Sequence, residues 1–124
     1  KGDGIQFALV VPGRSGAWKI GLARLDNGRP DSFVWESPSG LDAKAAAKAI
    51  TLTTHRDEAG RRTAYRARLK LDAFGLDDRM LTEGIRFNLL INDNDGNLRE
   101  GFIQLAPGVS EWKNFERFPL VVFD

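Results

Sequence analysis

Hydrophobic and polar residues alternate along much of this chain with the period of two that a half-buried β-strand requires. From Trp18 to Leu22 every second residue is large and apolar. In the segment Thr63–Leu71, apolar residues alternate with arginine and lysine. This pattern predicts strands that place one face in a core and the other in water.

Turn residues separate the predicted strands. Asp26-Asn27-Gly28, Asp57–Gly60 and Asp95-Gly96 favour hairpins, because Asn, Asp and Gly accept the left-handed backbone of tight turns. The predicted strands are Gly4–Val11, Trp18–Leu25, Ser32–Trp35, Ile50–Thr54, Thr63–Leu71, Ile85–Ile91, Leu98–Leu105 and Phe118–Phe123. Short strands at intervals of about 8 to 12 residues are typical of an antiparallel sandwich. We therefore predict an all-β fold, an antiparallel β-sandwich of the jelly-roll or immunoglobulin-like kind.

Two segments depart from the strand pattern. Leu41–Ala49 is rich in alanine, which favours helix, but it leads directly into the β-type run Ile50–Thr54. We interpret it as a loop or a short extended lead-in. Phe74–Gly84 is predicted to be a loop that could contain one helical turn.

Length and charge limit the classes of function. With 124 residues the chain is expected to form a single domain over residues 1–124. Lys and Arg number 18 against 17 Asp and Glu, so no overall field attracts a nucleic acid or an anionic membrane, and we expect neither partner. The absence of cysteine excludes disulfides and thiolate metal sites.

The run Asn92, Asp93, Asn94 and Asp95 concentrates oxygen donors in one predicted loop. Such donors are the ligands of hard cations such as Ca²⁺, so Asn92, Asp93 and Asp95 are candidate metal ligands. The spacing is not that of an EF-hand, because Leu98 occupies the position of its turn glycine. The alternative is that these side chains cap the backbone amides of their own turn.

Trp112 lies in the polar segment 108–114, outside any alternating strand. A large ring in such a loop could stack on the C–H face of a sugar, or it could cover the edge of the core. Trp18 and Trp35 lie within predicted strands and are expected to be core residues. We expect the arginines near the second hairpin to form a solvated strand face: Arg61, Arg62, Arg66 and Arg68.

Ordinary catalytic signatures are missing from the sequence. His55, the single histidine, has no neighbouring nucleophile and is expected at the surface. No pair of carboxylates can be placed at the separation that glycoside hydrolysis requires. We therefore expect a binding or accessory domain and not an enzyme.

Four segments in order resemble the family 9 carbohydrate-binding modules and their DOMON-like relatives. They are 2–7, 64–67, 87–101 with its Asn-Asp-x-Asp-Gly hairpin, and Trp112–Phe123. The resemblance implies a DOMON-like β-sandwich, structural Ca²⁺ in many members, and attachment to secreted bacterial polysaccharide-degrading enzymes such as glycoside hydrolases. It also implies an extracellular or periplasmic location, and a chain that starts part-way through the module.

Members of this family hold a sugar between two aromatic rings, and Trp112 is similar to the later one. Gln6 falls where the family has an acidic sugar contact. Our leading hypothesis is therefore a non-catalytic carbohydrate-binding module next to a catalytic domain, with Trp112 and Gln6 contacting the glycan. The alternatives are a structural sandwich that orients that domain without binding sugar, and haem binding through His55 and Met80, as in some DOMON-like domains.

Overall fold

The fold is all-β, with two antiparallel sheets in a sandwich-like arrangement, as the alternation predicts. The computed structural model describes residues 4–93, 101–104 and 118–122, with the backbone alone for 92, 93 and 101–104. The described strands are β1 Gly4–Val10, β2 Trp18–Arg24, β3 Pro30–Glu36, β4 Ile50–Asp57, β5 Arg62–Leu69, β6 Ile85–Asp93, β7 Gly101–Gln104 and β8 Leu120–Val121.

The larger sheet has the strand order β3-β2-β1-β6-β7, with β8 also paired to β6. The second sheet is the β4–β5 hairpin. The predicted turn between β2 and β3 is confirmed: Gly28 has a φ of 85°, and the Asn27 side chain accepts a hydrogen bond from the Arg29 amide at 3.0 Å. Glycine adopts that φ without the strain that a Cβ causes, so Gly28 stabilises this hairpin.

The core lies between the inner face of the larger sheet and the β4–β5 hairpin. Trp18 and Ile20 of β2 are completely buried there, and the indole of Trp18 donates a hydrogen bond of 2.9 Å to the Phe74 carbonyl. The hairpin contributes alternate, partly buried side chains to this core: Ile50, Leu52, Tyr65, Ala67 and Leu69. Each fully buried large apolar side chain stabilises the fold by about 1.5–3 kcal/mol, so this layer orders both sheets.

The structure corrects the prediction for Leu41–Ala49. Helix α1 spans Ala43–Lys48, begins at the N-cap Asp42, whose carboxylate accepts the Lys44 amide, and buries Ala46 against the core. Alanine propensity and the cap outweigh the β-type residues that follow. The predicted loop Phe74–Gly84 contains helix α2, Asp78–Glu83, capped by Asp77.

A 3₁₀ turn at Leu71–Phe74 precedes helix α2. No helix in the described part of the chain is long and apolar enough to cross a membrane.

Candidate binding surface

The larger sheet has a second face, turned away from the core, which we call the outer face. Because side chains alternate along a strand, the residues between the core positions of β2 point outward, and Gly21 is one of them. Strand register places Gln6 of β1 and Phe33 of β3 on either side of Gly21. These three positions form one row across the outer face.

Two aromatic rings stand on this face at β3. Phe33 and Trp35 lie nearly parallel, with ring centroids 5.7 Å apart and an interplanar angle of 21°. Phe33 is 39% exposed and Trp35 is 50% exposed. We call this pair the aromatic platform. Large aromatic side chains usually lie inside a protein, so two adjacent exposed rings make this surface a candidate binding site.

The two rings of the aromatic platform pack directly against Gly21. A Cβ built on Gly21 would lie 2.6 Å from Cη2 of Trp35 and 2.9 Å from Cδ2 of Phe33. Both distances are shorter than ordinary van der Waals contact, so any side chain at this position would push the rings outward. The missing Cβ therefore allows both rings to rest directly on β2.

Polar groups border the aromatic platform on the outer face. Lys19 also points outward from β2, two residues before Gly21, and its ammonium group forms an ion pair with the Glu36 carboxylate at 3.7 Å. Asp31 of β3 lies opposite Ala23, on the side of Phe33 that faces away from Trp35. Gln6 of β1 lies at the end of the row. A flat apolar surface surrounded by an amide, two carboxylates and an ammonium group can stack on a ring and bond its hydroxyl groups.

The rest of the outer face is less accessible. Ala8, Asn88 and Leu90 point outward from β1 and β6, yet Ala8 is 2% exposed and the other two are fully buried. The open part of the face therefore lies over β2 and β3, where the aromatic platform stands.

The core fixes the strand beneath the aromatic platform. Trp18 packs against Phe74 with ring centroids 4.8 Å apart. This contact and the hydrogen bond of the Trp18 indole hold the inner face of β2 in place. A site on a rigid strand keeps its geometry before a ligand arrives, which reduces the entropy lost on binding.

Comparisons with protein-family models, with curated proteins and with solved structures gave no match to this chain. The resemblance to the family 9 modules therefore stays an expectation. The aromatic platform, Gly21 and Gln6 are observed independently of it.

The structure locates some of the residues predicted from sequence. Gln6 lies half-buried on the outer face, in the same row as Phe33. Trp112 and Asp95 lie outside the described residues, and Asn92 and Asp93 are described only as the backbone end of β6. Within the described part of the chain, no three His, Asp or Glu side chains form a group that could hold a metal ion.

The prediction for Trp35 is wrong, whereas that for Trp18 is confirmed. Trp18 and Trp35 were both predicted to be core residues, but Trp35 is half exposed. The reason is that Val34 faces inward opposite Ile20, so Phe33 and Trp35 on either side of it face outward. Phe33 was not singled out from the sequence. The available signal was the outward Gly21, which leaves space for a large side chain on the adjacent strand.

The haem alternative loses its proposed ligand pair. His55 is exposed on β4, and Met80 packs against the core from α2. Since the core lies on the opposite side of β4 from His55, these two side chains do not face each other. A two-ligand haem site needs both groups on the same iron.

Proposed function

We propose that this chain is a non-catalytic carbohydrate-binding module and that it binds sugar on the aromatic platform. One observation carries the proposal: Phe33 and Trp35 form an exposed, nearly parallel pair with polar side chains around it. The C–H face of a sugar ring stacks on an aromatic face, while its hydroxyl groups need hydrogen-bonding partners at the rim. Gln6, Lys19 and Glu36 offer such groups.

Neutral glycans fit the aromatic platform best. The Lys19–Glu36 ion pair at its rim is balanced and Asp31 adds one negative charge, so the rim does not attract an anionic glycan. Each stacked ring contributes about 0.5–1.5 kcal/mol beyond the area it buries, so two rings support an affinity in the micromolar to millimolar range. Such affinities suit a module that keeps an enzyme near a polymer with many repeated sites.

Three further expectations belong to this proposal. Trp112 is a second candidate ring for the sugar. Ca²⁺ bound by Asn92, Asp93 and Asp95 would stabilise the end of β6 through hard oxygen ligands. The neighbouring domain is a secreted, polysaccharide-degrading enzyme such as a glycoside hydrolase, and the location is extracellular or periplasmic.

Affinity gel electrophoresis tests the proposal with soluble β-glucan, xylan, mannan and starch as immobile ligands. Isothermal titration with an oligosaccharide of any polymer that retards the protein then gives the affinity. Trp35→Ala is expected to weaken binding about tenfold or more, since it removes the larger exposed ring. Leu25→Ala is the matched control, because Leu25 is 38% exposed but lies in the β2–β3 turn, beyond the last residue of β2 and four residues from Gly21.

Two outcomes contradict this assignment. If none of the four polymers retards the wild-type protein, the chain does not have the proposed function for these glycans. If a sugar binds with equal affinity to wild type and Trp35→Ala, the aromatic platform is not the site. In that case Trp112→Ala tests the ring predicted from sequence.

A second candidate function is a structural sandwich that orients a neighbouring catalytic domain. The same exposed rings favour it, because apolar side chains of this size also occur at the centre of protein interfaces. Under this alternative, the isolated chain binds no glycan. Trp35→Ala in the full-length protein would then loosen the contact between domains, measured as increased protease cleavage between them.

A further inference from the structure

The β4–β5 hairpin has an outer face of its own, on the opposite side of the sandwich from the aromatic platform. Its inward residues pack against the core, and alternate residues point to solvent. Arg66 and Arg68 of β5, together with Lys70 just beyond it, are all exposed and occupy alternate positions. We call these three residues the basic row. Successive members are about 6.8 Å apart along an extended strand.

Some cations on the described surface pair with a carboxylate, whereas the three cations of the basic row do not. Lys19, Arg56 and Arg79 each pair with a glutamate at 3.0 to 3.7 Å. No ion pair involves Arg66, Arg68 or Lys70 within residues 4–93, 101–104 and 118–122.

The cross-strand neighbours of the two arginines are Thr53 and Thr51, so uncharged hydroxyl groups lie where carboxylates could have been. In a chain of net charge +1, this face therefore concentrates unneutralised positive charge.

We propose that the basic row binds an anionic polysaccharide, one that carries carboxylate or sulfate groups along its length. A linear polymer lying along β5 presents repeated negative groups to the three cations. Arginine can bind two oxygens of a carboxylate or of a sulfate group with two parallel hydrogen bonds. The hydroxyl groups of Thr51 and Thr53 both donate and accept, so they can contact the sugar hydroxyls beside each anion.

The composition of this face favours a polysaccharide over a nucleic acid. Single-stranded nucleic acids are held by cations together with aromatic rings on which the bases stack. No Phe, Tyr or Trp side chain points outward from β4 or β5, since Tyr65 faces the core. Thr51, Thr53, His55 and Ala64 accompany the cations instead, and Asp57 lies opposite Arg62 at the turn end of the hairpin. This face offers charge and hydroxyl groups without a stacking surface.

Binding to three probes tests the inference: polygalacturonate, heparin and poly-dT, each at low and at about physiological ionic strength. The double variant Arg66→Gln/Arg68→Gln removes two cations of the basic row. The control Arg14→Gln/Arg29→Gln makes the same change in net charge at exposed positions in the turns of the larger sheet. Thermal unfolding of both variants is measured to check that they are folded.

We expect polygalacturonate or heparin to bind, with an affinity that falls as salt is added. The Arg66→Gln/Arg68→Gln variant should lose about tenfold in affinity, whereas the control should match wild type. Binding of polygalacturonate alone identifies carboxylate as the preferred anion, and binding of heparin alone identifies sulfate.

The inference is overturned if neither acidic glycan binds at low salt, if the control loses as much affinity as the test variant, or if poly-dT binds as tightly as the glycans. Because the variants of the basic row leave the aromatic platform intact, failure here is distinguishable from failure of neutral sugar binding.

Discussion

Replacing Gly21 by alanine should displace the aromatic platform without removing either ring. Gly21 is not among the residues with positive φ, so alanine can adopt its backbone. The added Cβ would lie 2.6 Å from Trp35 and 2.9 Å from Phe33. Both rings would therefore have to move away from the strand.

The displacement can be estimated from these distances. Cη2 of Trp35 has to recede by about 0.8 Å, and Cδ2 of Phe33 by about 0.5 Å, before ordinary van der Waals contact is restored. Since both rings are partly exposed, they have room to move. The free energy of unfolding should change by less than about 1 kcal/mol, because alanine also lowers the entropy of the unfolded chain relative to glycine.

Ligand affinity should be more sensitive than stability. If the rings no longer present the same surface, part of the stacking free energy of about 0.5–1.5 kcal/mol is lost, a two- to tenfold weaker affinity. Isothermal titration with the oligosaccharide that binds wild type measures this loss, and urea unfolding measures stability. If Gly21→Ala binds with wild-type affinity while Trp35→Ala binds weakly, the missing Cβ of Gly21 does not set the position of the rings for binding.

Other expected outcomes concern stability. Trp18→Phe removes the buried hydrogen bond to the Phe74 carbonyl and leaves a cavity, so urea unfolding should show a loss of about 2–4 kcal/mol. Asp77→Ala removes the α2 cap and should cost about 0.5–2 kcal/mol, whereas Asp78→Asn, one residue further on, should cost less. Saturating CaCl₂ should raise the melting temperature relative to EDTA and should fail to do so in Asp95→Asn; equal shifts in both proteins would exclude Asp95 as a ligand.

Periodicity predicts the inner face of β2 well, because Trp18 and Ile20 have small or polar neighbours. It does not assign a face to Phe33, Val34 and Trp35, which are all apolar. Hydrophobicity alone favours burial of the two aromatic residues. In the structure Val34 pairs with the buried Ile20, so Val34 faces the core and the two aromatic rings face outward. This pairing depends on the register between the strands. The pattern of apolar and polar residues alone therefore does not predict the aromatic platform.

Helix α1 shows a different limit of sequence reasoning. Its six residues are too few to display a helical period, and an isolated helix of this length is unstable in water. The cap at Asp42 and the burial of Ala46 stabilise it only once the core is present. In the sequence, the capping residue followed by alanines indicates this helix, and it outweighs the β-type run after it.

The position of β3 bears on how this protein can be studied. Within the described residues β3 pairs with β2 alone, so it forms an edge of the larger sheet and carries two exposed rings there. Its first residue, Pro30, has no amide hydrogen to donate, and the register shifts opposite Trp35. Such interruptions discourage a second copy from adding itself strand to strand. Titrations at the high protein concentrations that weak ligands require should therefore proceed without self-association through this edge.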